Sequence, residues 1–215
     1  MSKSITSDDS PKSDLSARRG YHHGNLREAL VEAARTLIAG KGPLGFTLIE
    51  AARMAGVSAA APYRHFTDQA ALVGEVRKRG FEAFGKRLRD AYAAEPEPMA
   101  AFRRMGKAYL AFAREEPGYY AAMFSDPAAA ADGALPEQGS FGTLISGVAG
   151  LEQRGVKLKV SPRLISLHIW VMTHGIAALS ASGQLPKGPG IPTPEEMLSS
   201  GVDALIRGQS QSGVK

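Results

Sequence analysis

Tyr63, Arg64 and His65 form the most chemically informative cluster in the sequence. A phenol, a guanidinium and an imidazole all donate hydrogen bonds to phosphate oxygens, and such contacts hold proteins on a nucleic-acid backbone. The cluster ends a segment that is too short to bury all three side chains. Its chemistry therefore indicates contact with a polyanion.

The residues before this cluster predict two short helices joined by a tight turn. Thr47 and Glu50 have the spacing of a capping box, which marks a helix start. Gly56 ends that helix, because glycine adopts the left-handed conformation at little cost, and Ser58 is placed to cap the next one. This is the pattern of a helix-turn-helix, whose second helix enters the major groove of DNA. The alternative is an αα-corner in an unrelated helical protein.

The predicted recognition helix contains few hydrogen-bond donors. Ala59 and Ala60 favour apolar contact with thymine methyl groups, and Ser58 and Arg64 are the donors nearest to base edges. Pro62 removes an early helical hydrogen bond. In the other interpretation, these small residues only allow the backbone to approach the DNA closely.

Two further arginines, Arg18 and Arg19, precede the first predicted helix. They form a basic arm that can enter the minor groove of A·T-rich DNA, or else a solvated tail. The candidate DNA contacts are Arg18, Arg19, Thr47, Ser58, Ala59, Ala60, Pro62, Tyr63, Arg64 and His65.

Positive charge is concentrated around this motif. The segment from Leu15 to Arg89 holds 13 Lys and Arg against 6 Asp and Glu, whereas residues 91–215 hold 11 of each sign. A basic excess confined to one segment is what a nucleic-acid-binding head requires.

Residues 21–75 resemble the TetR-type transcriptional repressors. Two positions depart from that family: Gln69 stands where a Lys is usual, and Ala51 replaces the usual Ile. A second likeness, from Trp170 to Gly175, resembles the Trp-x-x-x-His-Gly signature of one C-terminal domain type within the family. The residues that match the DNA-binding pattern are Tyr21 to Gly40, Thr47 to Ser58, Tyr63, His65, Phe66 and Asp68.

The resemblance implies an all-α homodimer that binds a palindromic operator and releases it when a small molecule binds. Its two heads would meet major grooves about 34–36 Å apart. The family pairs its last two long helices with their copies, here about 162–182 and 194–207. The candidate dimer contacts are Leu164, Leu167, Val171, Ala178, Leu198, Val202, Leu205 and Ile206.

Aromatic and sulfur-containing side chains recur in the C-terminal two-thirds of the chain. They can line an apolar pocket for a neutral or weakly charged organic ligand, or simply fill a packed core. His174 lies one helical turn after Trp170 and is the best-placed polar group. The candidate ligand residues are Phe102, Met105, Tyr109, Tyr120, Phe124, Trp170 and His174.

Helical periodicity and capping signals predict an all-α chain. We expect a disordered arm over residues 1–20, a helix-turn-helix head over 21–68 and a helical body over 69–215. No run of about 18 apolar residues and no secretory signal is evident, so we expect no membrane contact. The absence of cysteine suits a reducing cytoplasm.

No cofactor or metal site and no catalytic motif is recognisable, so we expect a regulator and not an enzyme. A DNA-organising protein of the same fold, controlled by a protein partner without an inducer, is the main alternative. A helical scaffold or enzyme with an incidental helix-turn-helix is the third.

Overall fold

A computed structural model describes residues 26–125, 140–153 and 157–209. These residues form eight α-helices and one short 3₁₀ helix and contain no β-strand, which confirms the predicted all-α class. The elements are α1 (Leu26–Lys41), α2 (Leu48–Met54), the 3₁₀ helix (Pro62–Arg64), α3 (Gln69–Ala93), α4 (Pro98–Glu115), α5 (Pro117–Met123), α6 (Ser140–Gln153), α7 (Pro162–Ala181) and α8 (Pro194–Gln209).

The helix starts follow the capping signals in the sequence. At α2, Glu50 N donates to Thr47 Oγ1 at 3.2 Å and Thr47 N donates to the Glu50 carboxylate at 2.9 Å. Thr193 and Glu196 form the same box at α8, and Asp68 accepts from an amide of the first turn of α3. Because these bonds satisfy amides that a helix leaves free, local sequence determines where the helices begin.

Two hydrophobic cores share the long helix α3. Leu72 and Val76, in its first turns, pack into a head core with α1 and α2. Phe84 and Leu88, further along, pack into a body core formed with α4 to α8. Helix α3 therefore belongs to both the head and the body.

Helix α7 is long and apolar enough, by length and composition, to cross a membrane. Arg163, His168 and His174 interrupt its apolar residues, so it is not an unbroken apolar run of about 18 residues. The indication is weak, because the core helix of a soluble protein passes the same test. Here Ile165, Ile169 and Ala177 fill the body core along one side of the helix.

Charged side chains join α1 to α3 beside the head core. Arg27 donates to Glu75 at 2.9 Å, Arg79 donates to Glu75 at 2.8 Å, and Arg79 also pairs with Glu28. The hydrogen bonds from Arg27 and Arg79 lower the pKa of Glu75 to about 2 from its ordinary 4.5. Glu75 is thus the acceptor shared by both arginines.

Glu75→Gln should destabilise the fold by about 1–2 kcal/mol, because it removes charge-assisted bonds from a partly solvated network. Since folding depresses the pKa of Glu75, its contribution is complete above about pH 4.5 and is lost as the pH falls toward 2. Urea unfolding at pH 7 and pH 3.5 measures both effects. Asp90→Asn, which breaks an exposed pair with Lys86, is the matched control. Equal losses in the two variants would contradict this role of Glu75.

Candidate functional site

The segment that follows α2 is the part of the head that the sequence assigned to base recognition. Gly56 has a φ of +71°, as its predicted turn role requires. The predicted second α-helix, however, is only the 3₁₀ helix Pro62–Arg64. The amide of Ala61 donates to the Ser58 carbonyl at 3.0 Å, but Pro62 has no N–H to donate to the same carbonyl in an α-helical bond.

The side chains of residues 58–65, which we call the recognition segment, differ in their exposure to solvent. Pro62 is fully buried, so its ring lies inside the head and not on the surface that would meet DNA. Tyr63 is 58% exposed, and Arg64 and His65 are exposed beside it. Ser58, Ala59 and Ala60 are also exposed. Arg18 and Arg19 lie outside the described residues.

Thr47 is exposed, and its hydroxyl already makes a hydrogen bond within the head. Its hydroxyl donates to the Glu50 carboxylate at 3.3 Å, and Lys41 donates to the same carboxylate at 2.6 Å. The hydroxyl of Thr47 is therefore bonded within the capping box of α2. Contact of Thr47 with a phosphate stays a prediction.

Gln69 explains one departure from the family pattern. Its side-chain amide donates to the carbonyl of Pro43 at 2.9 Å, and the residue is half-buried. The bond ties the loop between α1 and α2 to the start of α3. Gln69 therefore has an intramolecular partner at the position where a Lys would offer a charge to the DNA.

In the body, a polar trio is enclosed by aromatic rings. The hydroxyls of Tyr120 and Tyr109 lie 2.9 and 3.1 Å from His174 Nδ1, and 3.4 Å from each other. Trp170 and Phe124 have ring centroids 5.8 and 4.5 Å from the His174 ring. The structure thus brings together five of the seven predicted ligand residues.

Burial keeps this trio uncharged at neutral pH. Desolvation lowers the pKa of His174, raises the pKa of Tyr120 to about 12 and raises the pKa of Tyr109 further. In the tautomer with Nδ1 unprotonated, its single lone pair accepts from one tyrosine at a time, and the other tyrosine can donate to its neighbour's oxygen. The trio therefore offers a ligand neutral hydrogen-bonding groups.

A cavity of about 50 Å³ lies next to the trio. Phe102, Met105, Tyr109 and Trp170 line it, and they are joined by Gly106 of α4. Tyr120, Phe124 and His174 are not among its lining residues. The seven predicted ligand residues therefore occupy two adjoining places, which Tyr109 and Trp170 connect.

The predicted dimer contacts on α7 and α8 fall into two groups, one exposed and one packed against the body core. Val171 is 56% exposed, and Leu164 and Ala178 are exposed on the same side of α7. Leu167 and Leu205 are half-buried against the body core.

Three of the predicted contacts on α8 were assigned to the wrong side of the helix. Leu198, Val202 and Ile206 are 4%, 6% and 8% exposed and belong to the body core. Apolar residues four apart mark one face of a helix but do not say whether its own chain or a partner covers that face.

Sequence reasoning missed the role of α5, which contacts both the head and the polar trio. Gly118 lies against the carbonyl of Arg35 in α1, and Arg35 bonds to Glu116 at 2.7 Å. Tyr120, on the other side of α5, belongs to the trio. The adjacent Pro117-Gly118 pair was the available signal, since it predicts a helix start with room for close packing.

The sequence matches two family descriptions. Residues 30–76 match "Bacterial regulatory proteins, tetR family", and residues 102–205 match "Tetracyclin repressor-like, C-terminal domain". Among curated proteins, none matches the chain.

Several solved structures are similar to the chain. One is a protein of unknown function from Rhodococcus sp. RHA1, at 31% identity and a TM-score of 0.74, with 89% of this chain and 98% of that one covered. Another is the TetR family transcriptional regulator PfmR from Thermus thermophilus, at 20% identity and a TM-score of 0.63, with 83% and 97% covered. A TetR-family regulator from Pectobacterium atrosepticum shares 20% identity at a TM-score of 0.61, with 94% and 99% covered.

The helix-turn-helix head joined to a helical body, together with the two family matches, defines a DNA-binding transcriptional regulator. The two family matches together span most of the chain from α1 to α8. The chain belongs to the TetR family. It is accordingly a transcription factor and not an enzyme.

The stability of the body should depend on pH through His174. Because folding lowers the pKa of His174, its contribution is complete above about pH 6.5 and decreases as the pH falls below that value. The urea midpoint of the wild type should therefore fall between pH 7.5 and pH 5.5, and His174→Gln should reduce that fall. His168→Gln, at an exposed position of the same helix, should leave it unchanged. An identical fall in all three proteins would contradict the assignment.

Proposed function

We propose that the protein is a homodimeric repressor that a small organic molecule releases from a palindromic operator. The observation that carries this proposal is the exposed Tyr63-Arg64-His65 cluster, which directly follows the buried Pro62. Family membership supports the remaining parts. A soluble DNA-binding fold without cysteine also favours a cytoplasmic location.

On DNA, the recognition segment divides the contacts between position and sequence. Tyr63 and His65 bind backbone phosphates, which fix the head on the duplex but read no sequence. Ala59 and Ala60 lie against thymine methyls or allow close approach, and Arg64 is the long donor of the segment.

Tyr63→Phe should weaken binding to every DNA sequence by a similar factor, about three- to tenfold, because it removes one phosphate hydrogen bond. Selection from a random DNA pool gives the preferred operator, and fluorescence anisotropy gives the affinities. Tyr92→Phe, on a half-buried body residue, is the matched control.

A changed operator with intact affinity would contradict the phosphate role of Tyr63.

The same selection tests the arm: deleting residues 1–19 should lower affinity and flatten the preference for flanking A·T pairs. Unchanged flanks at equal affinity would exclude Arg18 and Arg19 as contacts.

Induction starts, in this proposal, at the polar trio. A neutral ligand with an apolar body displaces the aromatic rings around His174 and bonds to the trio. Tyr120 then moves α5, whose other side packs on α1, so that the spacing of the two heads changes. A ligand shifts this equilibrium only if it binds the released state more tightly.

Ligand binding should change the fluorescence of Trp170, the only indole in the chain, and should weaken DNA binding. The coupling is reciprocal, so operator DNA should weaken ligand binding by the same factor. A screen of neutral organic compounds by Trp170 fluorescence, followed by titration with and without operator, measures both. His174→Gln should weaken the ligand about tenfold or more and leave DNA affinity unchanged. Ligand binding with no effect on DNA would contradict induction.

A second candidate function has a specific observation in its favour. The cavity of about 50 Å³ beside the polar trio is far smaller than usual ligand sites of about 300–1,000 Å³, so the core around the predicted ligand residues is nearly filled. A DNA-organising protein of the same fold, controlled by a protein partner, would have such a core. A screen that yields no ligand for the Trp170 region would favour it.

The proposed dimer forms through the exposed side of α7. Val171→Arg should raise the dimer dissociation constant by about two orders of magnitude, because an unpaired buried charge costs about 3 kcal/mol or more. Sedimentation equilibrium measures it. Leu44→Arg, on a head residue that is 91% exposed, should leave the dimer intact. A Val171→Arg protein that dimerises like the wild type would exclude this face.

A further inference from the structure

A second, larger cavity lies at the far end of the body, apart from the polar trio. Its walls are the last turns of α4 and α7 and the segment 185–194 that leads into α8, and its volume is about 690 Å³. We call it the end cavity. It falls within the range of about 300–1,000 Å³ that small-molecule sites occupy.

Small side chains explain why this space is open. Ala113 of α4 and Ala177 and Ala181 of α7 are among its lining residues, and larger side chains at these positions would occupy the space. Leu185 and Ile191 of the connecting segment add apolar groups to its wall. The end cavity is therefore a largely apolar space that opens to the surface beside the body core.

One side chain in the wall of this cavity has a polar atom without a partner. The Ser180 Oγ is buried, and within the part of the chain that the structure describes it makes no hydrogen bond. A buried hydroxyl without a partner costs about 1–3 kcal/mol. An acceptor on a bound molecule would remove that cost once rotation about χ1 turns the hydroxyl toward the cavity.

Charge at the rim indicates the kind of acceptor. Arg114 bonds to Glu195 at 3.2 Å, whereas exposed Lys187 has no ion pair among the described residues. Neither Asp nor Glu is among the residues that line the cavity. A carboxylate would accept from the Ser180 hydroxyl and be attracted by Lys187.

We propose that the end cavity binds an organic monocarboxylate with an apolar body. The inference is independent of the ligand site at His174 and of the repressor function. A molecule here would hold the segment 185–194 against α4 and α7, and so would stabilise the start of α8.

Octanoate is a suitable probe, and 1-octanol is its uncharged match. The full-length protein should bind octanoate saturably, one molecule per chain, by calorimetry and by ligand-observed saturation-transfer NMR. Ala181→Phe, which fills the cavity from an exposed position, should abolish binding, whereas Ala83→Phe on exposed α3 surface should not. His174→Gln should bind octanoate like the wild type.

The rim charge has its own test. Lys187→Gln should weaken octanoate about two- to fivefold, the effect of one exposed ion pair, and should leave 1-octanol unchanged. Equal octanoate binding by the wild type and Ala181→Phe, or no saturable binding at all, would overturn the proposal. So would dissociation of the protein into monomers on Ala181→Phe, because the cavity would then be a contact between copies.

Discussion

A Cβ atom on residue 118 would lie 2.1 Å from the carbonyl oxygen of Arg35, so α5 can rest against α1 only because this residue is glycine. A second close approach exists on α3, where a Cβ on Gly80 would lie 2.9 Å from Met123. Arg35 then covers the junction, bonding to Glu116 and lying over the Tyr119 ring at 5.3 Å. The close contact between Gly118 and the Arg35 backbone joins the head to the body. The proposed coupling between the ligand site and the head depends on this contact.

The same short helix faces the polar trio with its opposite side. The Tyr120 hydroxyl lies 2.9 Å from His174 Nδ1 in the trio, and the residues Met123 and Phe124 pack in the body. A helix of seven residues has little internal stability, so its position is set by what it touches on each side. Packed interfaces of this kind shift between discrete arrangements and deform little, so in the proposed induction a small change at His174 would move α1.

The features that could be predicted from the sequence are those that depend on neighbouring residues, such as helix termini. Capping boxes and glycine turns act within four residues, so the starts of α2, α3, α7 and α8 and the ends of α1 and α2 were predicted from sequence. Pro62 shows the limit: its missing N–H was recognised, but only the packed head shows its ring buried and its helix shortened to 3₁₀. Likewise, the apolar stripe of α8 was visible, but which surface covers it depends on residues far away in the chain. The end cavity could not be predicted, because a lack of side-chain volume between two helices produces no pattern in the local sequence.

Helix α7 is apolar on two opposite sides. One side packs within its own chain, and the other is exposed in the single chain. One side completes the body core through Ile165, Ile169 and Thr173, whose hydroxyl is satisfied by the Ile169 carbonyl at 2.7 Å. The other side keeps Leu164, Val171 and Leu179 exposed, and a soluble monomer rarely leaves such a row uncovered. A second copy related by a two-fold axis would cover this row with the same residues. In that arrangement the apolar composition that imitates a membrane span is a consequence of burial on both sides of one helix, once within the chain and once between two chains.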